Sequence, residues 1–509
     1  MSTPSPDSGQ IKGLTRNKVA RQLSTLIRQM KDAEHHFAPE LDKLHKHFKV
    51  SGTNLIHYLV LRTNEIRETQ EYLHHIGLSS LTNSESHTLF QVRNVLQWLQ
   101  HKEPVTKKDT ACNFEDASRL QSEHAEHLLG VFPKKERPHI MVTFSTEMAE
   151  DRKLLEEMLN GGMSVARINC AHDGPEIWLK MISGLKKAIA KTGKPCKIYM
   201  DLAGPKIRIR QIAAVHKNES LGLPVEEGKV LILSGLKSER QKPLKLKSKS
   251  VDTLLIEPAE LTGMMKKGEH IFFDDGKFEA RVIQANADLV AVKVIRISAK
   301  NHVLKPERGI NLPDSDISLL SLTEDDKANL PFICEHADMV GYSFVNSPLD
   351  MEMLRAAMHQ VNPRKKPAII MKIERLTAVQ NLPALLINGM KDEAIGVMIA
   401  RGDLAVEIGF ERLSEIQEEI LWICEAAHVP VIWATQVLET LNKTGYATRS
   451  EITDAAMSGR AECVMLNKGK YIVKTIETLD DILTRQQGHV NKKRYIMRPL
   501  GIAKTFIEP

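Results

Sequence analysis

The stretch AIIMKIERLTAVQNLPALLINGMKDEAIGVMIARGDLAVEI (368–408) holds two short apolar runs, AIIMKIE (368–374) and GVMIARG (396–402), and each runs out into charged residues. Short apolar runs of this kind read as strands buried on both faces. Working outward, the same kind of run recurs at HIMVTF (139–144), SVARINC (164–170), KIYMDLA (197–203), MVGYSFV (339–345), VIWATQ (431–436) and CVMLNKG (463–469). Helical patterns lie between most of them; RKLLEEMLN (152–160), with Gly161-Gly162 as its C-cap, is one. Strands alternating with helices imply a parallel sheet. Eight such units fit a closed (β/α)8 barrel better than an open doubly wound sheet, so the expected class is α/β with a TIM barrel.

One interval breaks the rhythm. Between Ala203 and Met339 the chain is far longer than one helix needs, and 207–308 carries alternating runs (KVLILSG, IFFDDGKFEARVI, LVAVKVIRI) between Gly, Asp and Asn turns. This reads as a small β-barrel-like lid inserted after the third strand, over the face where barrels do chemistry. The barrel then occupies 138–206 and 309–485. Residues 1–13 are Ser/Pro/Gly-rich and are expected to be disordered; 14–130 reads as an all-α module plus linker; 486–509 is a tail. In the module, Leu23, Leu26, Ile27 and Met30 recur at helical spacing, as do Leu55, Leu59 and Ile66, with a further helix near 115–129. Gly52 and Gly77 are expected to break the helical run.

Composition narrows the class. The chain is 42% hydrophobic and 26% charged, enough to bury a core, and its net charge of +6 over 509 residues is too mild to argue for nucleic acid. The basic residues Lys12, Arg16, Lys18 and Arg21 have no aromatic interleaving and read as a solvated helix face. Six scattered cysteines in no ligand spacing, no apolar leader and no long apolar run together predict a cytoplasmic protein without disulfides or membrane partner.

Polar residues cluster at the strand ends: Arg167 and Asn169, Asp201, Lys372 and Glu374, Arg401 and Asp403, Thr435. Several are i, i+2 pairs, which point to one side of a strand. Charge inside a barrel is costly unless paired, metal-bound or at the open mouth. Glu374 ends the fifth strand and Asp403 follows the sixth, so the two carboxylates can share a hard cation such as Mg²⁺. Lys372 beside that metal makes a cationic clamp for a phosphoryl group. Gly402 would let the backbone approach an anion closely, and its N–H could donate to phosphate. His172 could touch a nucleotide or be structural, and Trp433 reads as core. There is no GxxxxGK[ST], GxGxxG or GxSxG.

VARINCAH, MDLAGPKIR, FFDDG, MKIER, ARGDLAVEI and ATQVLET, in this order and spacing, resemble the signatures of the pyruvate kinase family, from about His139 to about Leu483. The resemblance implies an enzyme that moves a phosphoryl group from phosphoenolpyruvate to ADP, giving pyruvate and ATP, with Mg²⁺ or Mn²⁺. It implies that Arg167 binds the transferring group and that Lys372 stabilises it. It implies further that Glu374 and Asp403 hold the metal and that Thr435 lies near the enolate carbon. Asn169 and Asp201 match positions for a monovalent cation. Arg208, Asp274 and Asp275 match lid residues that approach the nucleotide.

The departures are specific. Ala171 stands where many members have a serine ligand for K⁺, and Lys206 where they have glutamate. An ammonium at Lys206 would replace the potassium charge, so K⁺-independent activity is expected. VTFSTEM lacks the usual Gly-Pro near the nucleotide, and MLNKGK puts Asn467 and Lys468 where a hydroxyl and a carboxylate are expected. The chain shows no counterpart of the family's C-terminal effector domain, so sugar-phosphate activation there is not expected. The helical module either replaces that domain's homo-oligomer interface or packs as an accessory on a monomer. Two other functions fit the residues: a phosphoenolpyruvate-dependent phosphotransferase with another acceptor, and a non-catalytic regulatory barrel.

Overall fold

The structure, a computed structural model, describes residues 14–105, 112–131, 137–213, 222–235, 244, 251–298, 302–315, 319–487, 490–492 and 494–495. The expectation of disorder over 1–13, Lys12 and most of the tail lie outside these residues.

Eight parallel strands close a barrel: β1 (His139–Thr143), β2 (Met163–Asn169), β3 (Lys197–Asp201), β4 (Met339–Tyr342), β5 (Ala368–Ile373), β6 (Ile395–Ala400), β7 (Val431–Ala434) and β8 (Cys463–Leu466). They pair in chain order, and β8 returns to β1. Every run read as a strand in this part of the sequence is one of the eight. The strands are almost wholly buried because helices cover them outside and side chains fill them inside. The helix Arg152–Gly161 ends at Gly162 with φ +117°, the left-handed cap that glycine adopts without strain.

The barrel floor is plugged from outside. The helix Phe114–Leu129 sends Leu128 and Leu129 into the interior cluster with Met141, Val165, Tyr199 and Ile370. Gly396, the second residue of β6, makes room: a Cβ there would lie 2.7 Å from Leu128.

The other N-terminal helices, Arg16–His36, Lys49–Thr63, Arg67–His75 and Thr88–Leu99, share one continuous apolar core with the barrel's outer helices. Polar groups at this junction are satisfied across it. Asn54 Nδ2 donates to Ala426 O at 2.8 Å, His428 Nδ1 lies 2.9 Å from Ser51 Oγ, and its Nε2 lies 2.8 Å from Ser86 O. Gly77 does follow a helix end, with φ +74°. Gly52 does not break one. It sits inside Lys49–Thr63, where a Cβ would come within 2.3 Å of Leu44; glycine is there for close packing, which propensity does not reveal. Lys18 and Arg21 are exposed, whereas Arg16 ties down the end of Thr88–Leu99 through Leu99 O and Trp98 O.

Between β3 and β4 the chain forms a seven-stranded sheet with its own core, including Ile209, Leu233, Phe273, Phe278 and Val292. The outgoing and returning segments pair with each other at its root: Ile310 N donates to Ile207 O and Ile209 N to Arg308 O. All six cysteines are free, and no helix among the described residues is long and apolar enough to cross a membrane.

Candidate active site

The C-terminal ends of β2, β3 and β5 carry a tight charge cluster. Lys372 Nζ lies 2.7 Å from Ser343 Oγ, 3.0 Å from Glu374 Oε1 and 3.3 Å from Asp201 Oδ2. Arg167 donates to the same Asp201 oxygen through Nε and Nη2, at 3.0 and 2.5 Å, and to Thr143 Oγ1 at 3.0 Å. Tyr199 OH donates to the other Asp201 oxygen at 2.9 Å. Lys372, Glu374 and Asp201 are all buried.

Such a cluster persists because the charges compensate one another. Burial works to lower the Lys372 ammonium, but Asp201 and Glu374 outweigh it and its pKa is raised. Burial works to raise Asp201, and Lys372 and Arg167 together pull it down. Glu374 goes the other way. Burial first, and the negative charge of Asp403, push its carboxyl up against Lys372 and the Phe344 N–H, which donates to it at 2.6 Å.

Asp403 lies on the helix Arg401–Ile408, which starts where β6 ends. The Lys206 ammonium reaches it at 3.0 Å and holds its carboxyl low despite burial. The same ammonium lies 3.9 Å from Asp275. Gly309 lets this happen: a Cβ there would sit 2.9 Å from Lys206 Cε.

A buried carboxylate, Glu374, and a partly exposed one, Asp403, at neighbouring strand ends, the first destabilised by the second's charge, are the donor set a hard dication takes. Glu374 and Asp403 therefore fit Mg²⁺ or Mn²⁺ by their chemistry.

The i, i+2 argument holds for Lys372 and Glu374, which meet on one side. It fails for Arg401 and Asp403. The helix begins at Arg401, and residues two apart on a helix diverge by about 200°. Arg401 turns away to Asp454 and to Ala434 O at 3.0 Å, lying over the buried Trp433 ring. The Gly402 N–H is not free; it donates to Thr435 Oγ1 at 2.8 Å. Thr435 itself has φ +65°, a conformation that a β-branched residue rarely adopts.

Asn169 and Asp201 stand opposite each other in the β2–β3 register, while Lys206 reaches Asp403. Asn169 Oδ1 accepts from Ala171 N at 3.2 Å, Asp201 is taken by Arg167, Lys372 and Tyr199, and Lys206 goes to Asp403. On the lid side, Arg208 donates to Glu307 O at 3.0 Å, and Asp274 pairs with Lys277 and Arg308. Asp274 and Asp275 both have positive φ at the lid's turn. His172 is exposed; partial desolvation first, then Lys468 and Arg208, lower its pKa, so those two cations stand near it.

Four participants escape a reading of the strand-end charges: Tyr199, Ser343, Asn311 and Glu407. Tyr199 stands two residues before Asp201 and Ser343 inside an apolar run, so polar atoms in apolar strands would have marked both. Asn311, on the strand returning from the lid, lies beside the Asp403 and Glu407 carboxyls and works to lower both. Burial pushes the Glu407 carboxyl up to about 7. No sequence signal joins these two, because their meeting depends on how the lid root folds back.

The profile of the pyruvate kinase barrel domain matches residues 135–476. Over 341 residues the chain is 31% identical to a pyruvate kinase of Encephalitozoon cuniculi, covering 65% of this chain and 71% of that one. It is 31% identical to a pyruvate kinase of Trypanoplasma borreli (66% and 64%) and 30% identical to pyruvate kinase 1 of Trypanosoma brucei brucei (70% and 68%). Against a Bacillus licheniformis pyruvate kinase it spans 57% of the relative's length.

Proposed function

The chain belongs to the pyruvate kinase family, and on that premise we propose that it transfers a phosphoryl group from phosphoenolpyruvate to ADP, with Mg²⁺ on Glu374 and Asp403 and no need for K⁺. The single observation that carries this reading is Lys372, buried and held between Glu374, Asp201 and Ser343 at the barrel mouth. A fixed, desolvated ammonium there has no structural use that a hydrophobic residue would not serve better.

Phosphoryl transfer spreads negative charge over three equatorial oxygens, and catalysis is positioning plus electrostatics. Lys372 and Arg167 supply two cations whose orientation is set before substrate arrives, Arg167 by its fork on Asp201. Bound Mg²⁺ would act as a Lewis acid on the phosphoryl and enolate oxygens. Thr435 Oγ1 accepts from Gly402 N–H, which leaves its own proton for the enolate side. Arg208, Asp275 and His172 form the nucleotide side, and lid closure over them would exclude water. Lys206, rooted where the lid leaves β3, brings the positive charge that K⁺ supplies in potassium-dependent members.

The test is pyruvate formation from phosphoenolpyruvate, ADP and Mg²⁺ in potassium-free buffer, with Lys372→Met as control. Turnover by the unaltered chain and its collapse in the variant support the proposal; no pyruvate with or without K⁺ rejects it. One observation favours a second reading, another acceptor. Ser145, Glu147 and Asp151 face Lys468 and Lys470 across a cleft at the ends of β1 and β8. A panel of nucleoside diphosphates in which none outperforms water would select it.

A further inference from the structure

At the opposite end of the barrel, two histidines and a carboxylate from three separate segments converge. His47 lies in the turn Lys46–Phe48 before the helix Lys49–Thr63, His127 in the last turn of Phe114–Leu129, and Glu393 in the turn entering β6. One potential ligand atom from each lies within 4.8 Å of the others. We propose that His47, His127 and Glu393 form a site for a first-row transition dication of the Zn²⁺ type, which staples the helical module to the barrel floor.

The donor set comes first. Two imidazoles and one carboxylate suit Zn²⁺ and its neighbours rather than Mg²⁺ or Ca²⁺, which take oxygen ligands. Three protein ligands leave a fourth position for water.

The spacing comes second. With metal–ligand bonds of about 2.0–2.1 Å, two ligands of a tetrahedron stand about 3.3 Å apart. His127 Nε2 and Glu393 Oε1 are 3.5 Å apart, long for a hydrogen bond and close to that edge. The His47 and His127 rings meet edge to face at 5.5 Å between centroids, so they do not block each other.

Preorganisation comes third. The His47 backbone is pinned from both sides: its carbonyl lies 3.1 Å from His124 Nε2, and the next residue, Phe48, is buried against the His124 ring. His127 is fixed by its neighbour Leu128, the barrel plug. His45 backs the site, its ring 4.5 Å from that of His47 and its N–H donating to Met390 O at 2.8 Å. Three of the cations around the same cavity have other carboxylate partners: Arg355 pairs with Asp392 at 2.7 Å, and Lys197 and Lys365 with Asp338, each at 3.2 Å.

The site does not belong to the catalytic mouth. Glu393 precedes β6 and Asp403 follows it, so the length of a strand, roughly 20 Å, separates them. A metal here would act on the docking of the module and not on the transferring group.

The experiment uses the full chain, stripped with a chelator and returned to saturating Mg²⁺ so that Glu374 and Asp403 are occupied. Zn²⁺ is then titrated against a chromogenic chelator, and thermal unfolding is followed with and without Zn²⁺. The expected result is one equivalent of Zn²⁺ per chain and a Tm that rises with Zn²⁺ by mass action. His127→Ala and His47→Ala should each weaken binding at least ~10-fold, the scale of losing support at a metal centre, and abolish the Tm shift. His74→Ala, at an exposed helix end, should change neither. His127 is exposed, so its variant should fold and keep its pyruvate-forming rate. Equal Zn²⁺ affinity in the unaltered chain and both ligand variants, or no Zn²⁺ held by the unaltered chain once Mg²⁺ is present, would overturn the proposal.

Discussion

The Lys206 ammonium lies 3.0 Å from Asp403 on the barrel and 3.9 Å from Asp275 at the turn of the lid. One cation therefore touches both the barrel and the lid. Lys206 follows Gly204-Pro205 on the segment leaving β3, so its backbone belongs to the lid root while its head group lies in the mouth. The same side chain thus balances charge at Asp403 and reaches the lid's turn.

Replacing Lys206 tests what that charge does. Lys206→Glu removes the ammonium and puts a third carboxylate beside Asp403 and Asp275. Loss of one preorganised electrostatic group typically costs about 10²–10³ in kcat, and that loss is expected in potassium-free buffer. Added K⁺ at constant ionic strength should restore part of it, while leaving the unaltered chain indifferent. Initial rates with K⁺ exchanged for a bulky organic cation decide this. An unaltered chain strongly activated by K⁺ would remove Lys206 from the role.

Gly309→Ala probes the same ammonium without touching it. The new Cβ would lie 2.9 Å from Lys206 Cε, the far part of a flexible side chain, so the lysine should move rather than the fold. Stability is expected to change by less than about 1 kcal/mol, with kcat several-fold lower. In a Lys206→Ala background Gly309→Ala should have no further effect on kcat, since residues acting through one contact are not additive. Additive losses would mean that Gly309 acts on the lid by another route.

At Lys372 the expectation is harsher. Lys372→Met leaves Arg167 on Asp201 but deprives Glu374 of its nearest cation. A fall of ~10³ or more in kcat, about 4 kcal/mol, is expected, with little rescue by Lys372→Arg. A planar guanidinium does not reproduce a point charge shared by Glu374, Asp201 and Ser343. Ser343→Ala removes one hydrogen bond from the same ammonium and should cost about tenfold, in the range of a single hydrogen bond to a charged group. Steady-state kinetics on the three variants separate charge from geometry.

The barrel was legible because each strand is a short apolar run, and a barrel's strands have no other way to be buried. Lys372, Glu374 and Asp403 were legible because charge at the end of such a run needs a reason. What escaped depended on where segments go next. Arg401 and Asp403 look like a strand pair, yet helix geometry starting at Arg401 sends them apart. Lys206 reads as a partner for the β2 and β3 ends, yet the lid root carries it to Asp403. Gly52 reads as a breaker because propensity cannot see Leu44 packed against it. The joint between module and barrel had no sequence signal at all, since His428 meets Ser51 across 377 positions.

That joint should make the protein sensitive to acid. His428 is fully buried, with Nε2 against Ser86 O and Nδ1 against Ser51 Oγ, an arrangement that suits the neutral ring. Burial first, with His124, His87 and Lys492 adding positive charge nearby, lowers its pKa to about 3 against the pull of the Ser86 carbonyl. In the unfolded chain it would titrate near 6.5. The folded value is the lower one, so the unfolded chain binds the extra proton below pH 6.5. Stability from this residue is complete above that pH and declines as pH falls towards 3, by about 1.4 kcal/mol per unit. Burial holds His139 at about 3 in the same way and steepens the decline. Urea unfolding at pH 7 and pH 5 should therefore show a loss on the order of 2 kcal/mol for each of these histidines. That window lies above the range where most carboxylates begin to protonate. His428→Gln, which keeps a donor and an acceptor but cannot take up a proton, should flatten the slope; an unchanged slope would mean that the joint stays closed while His428 charges.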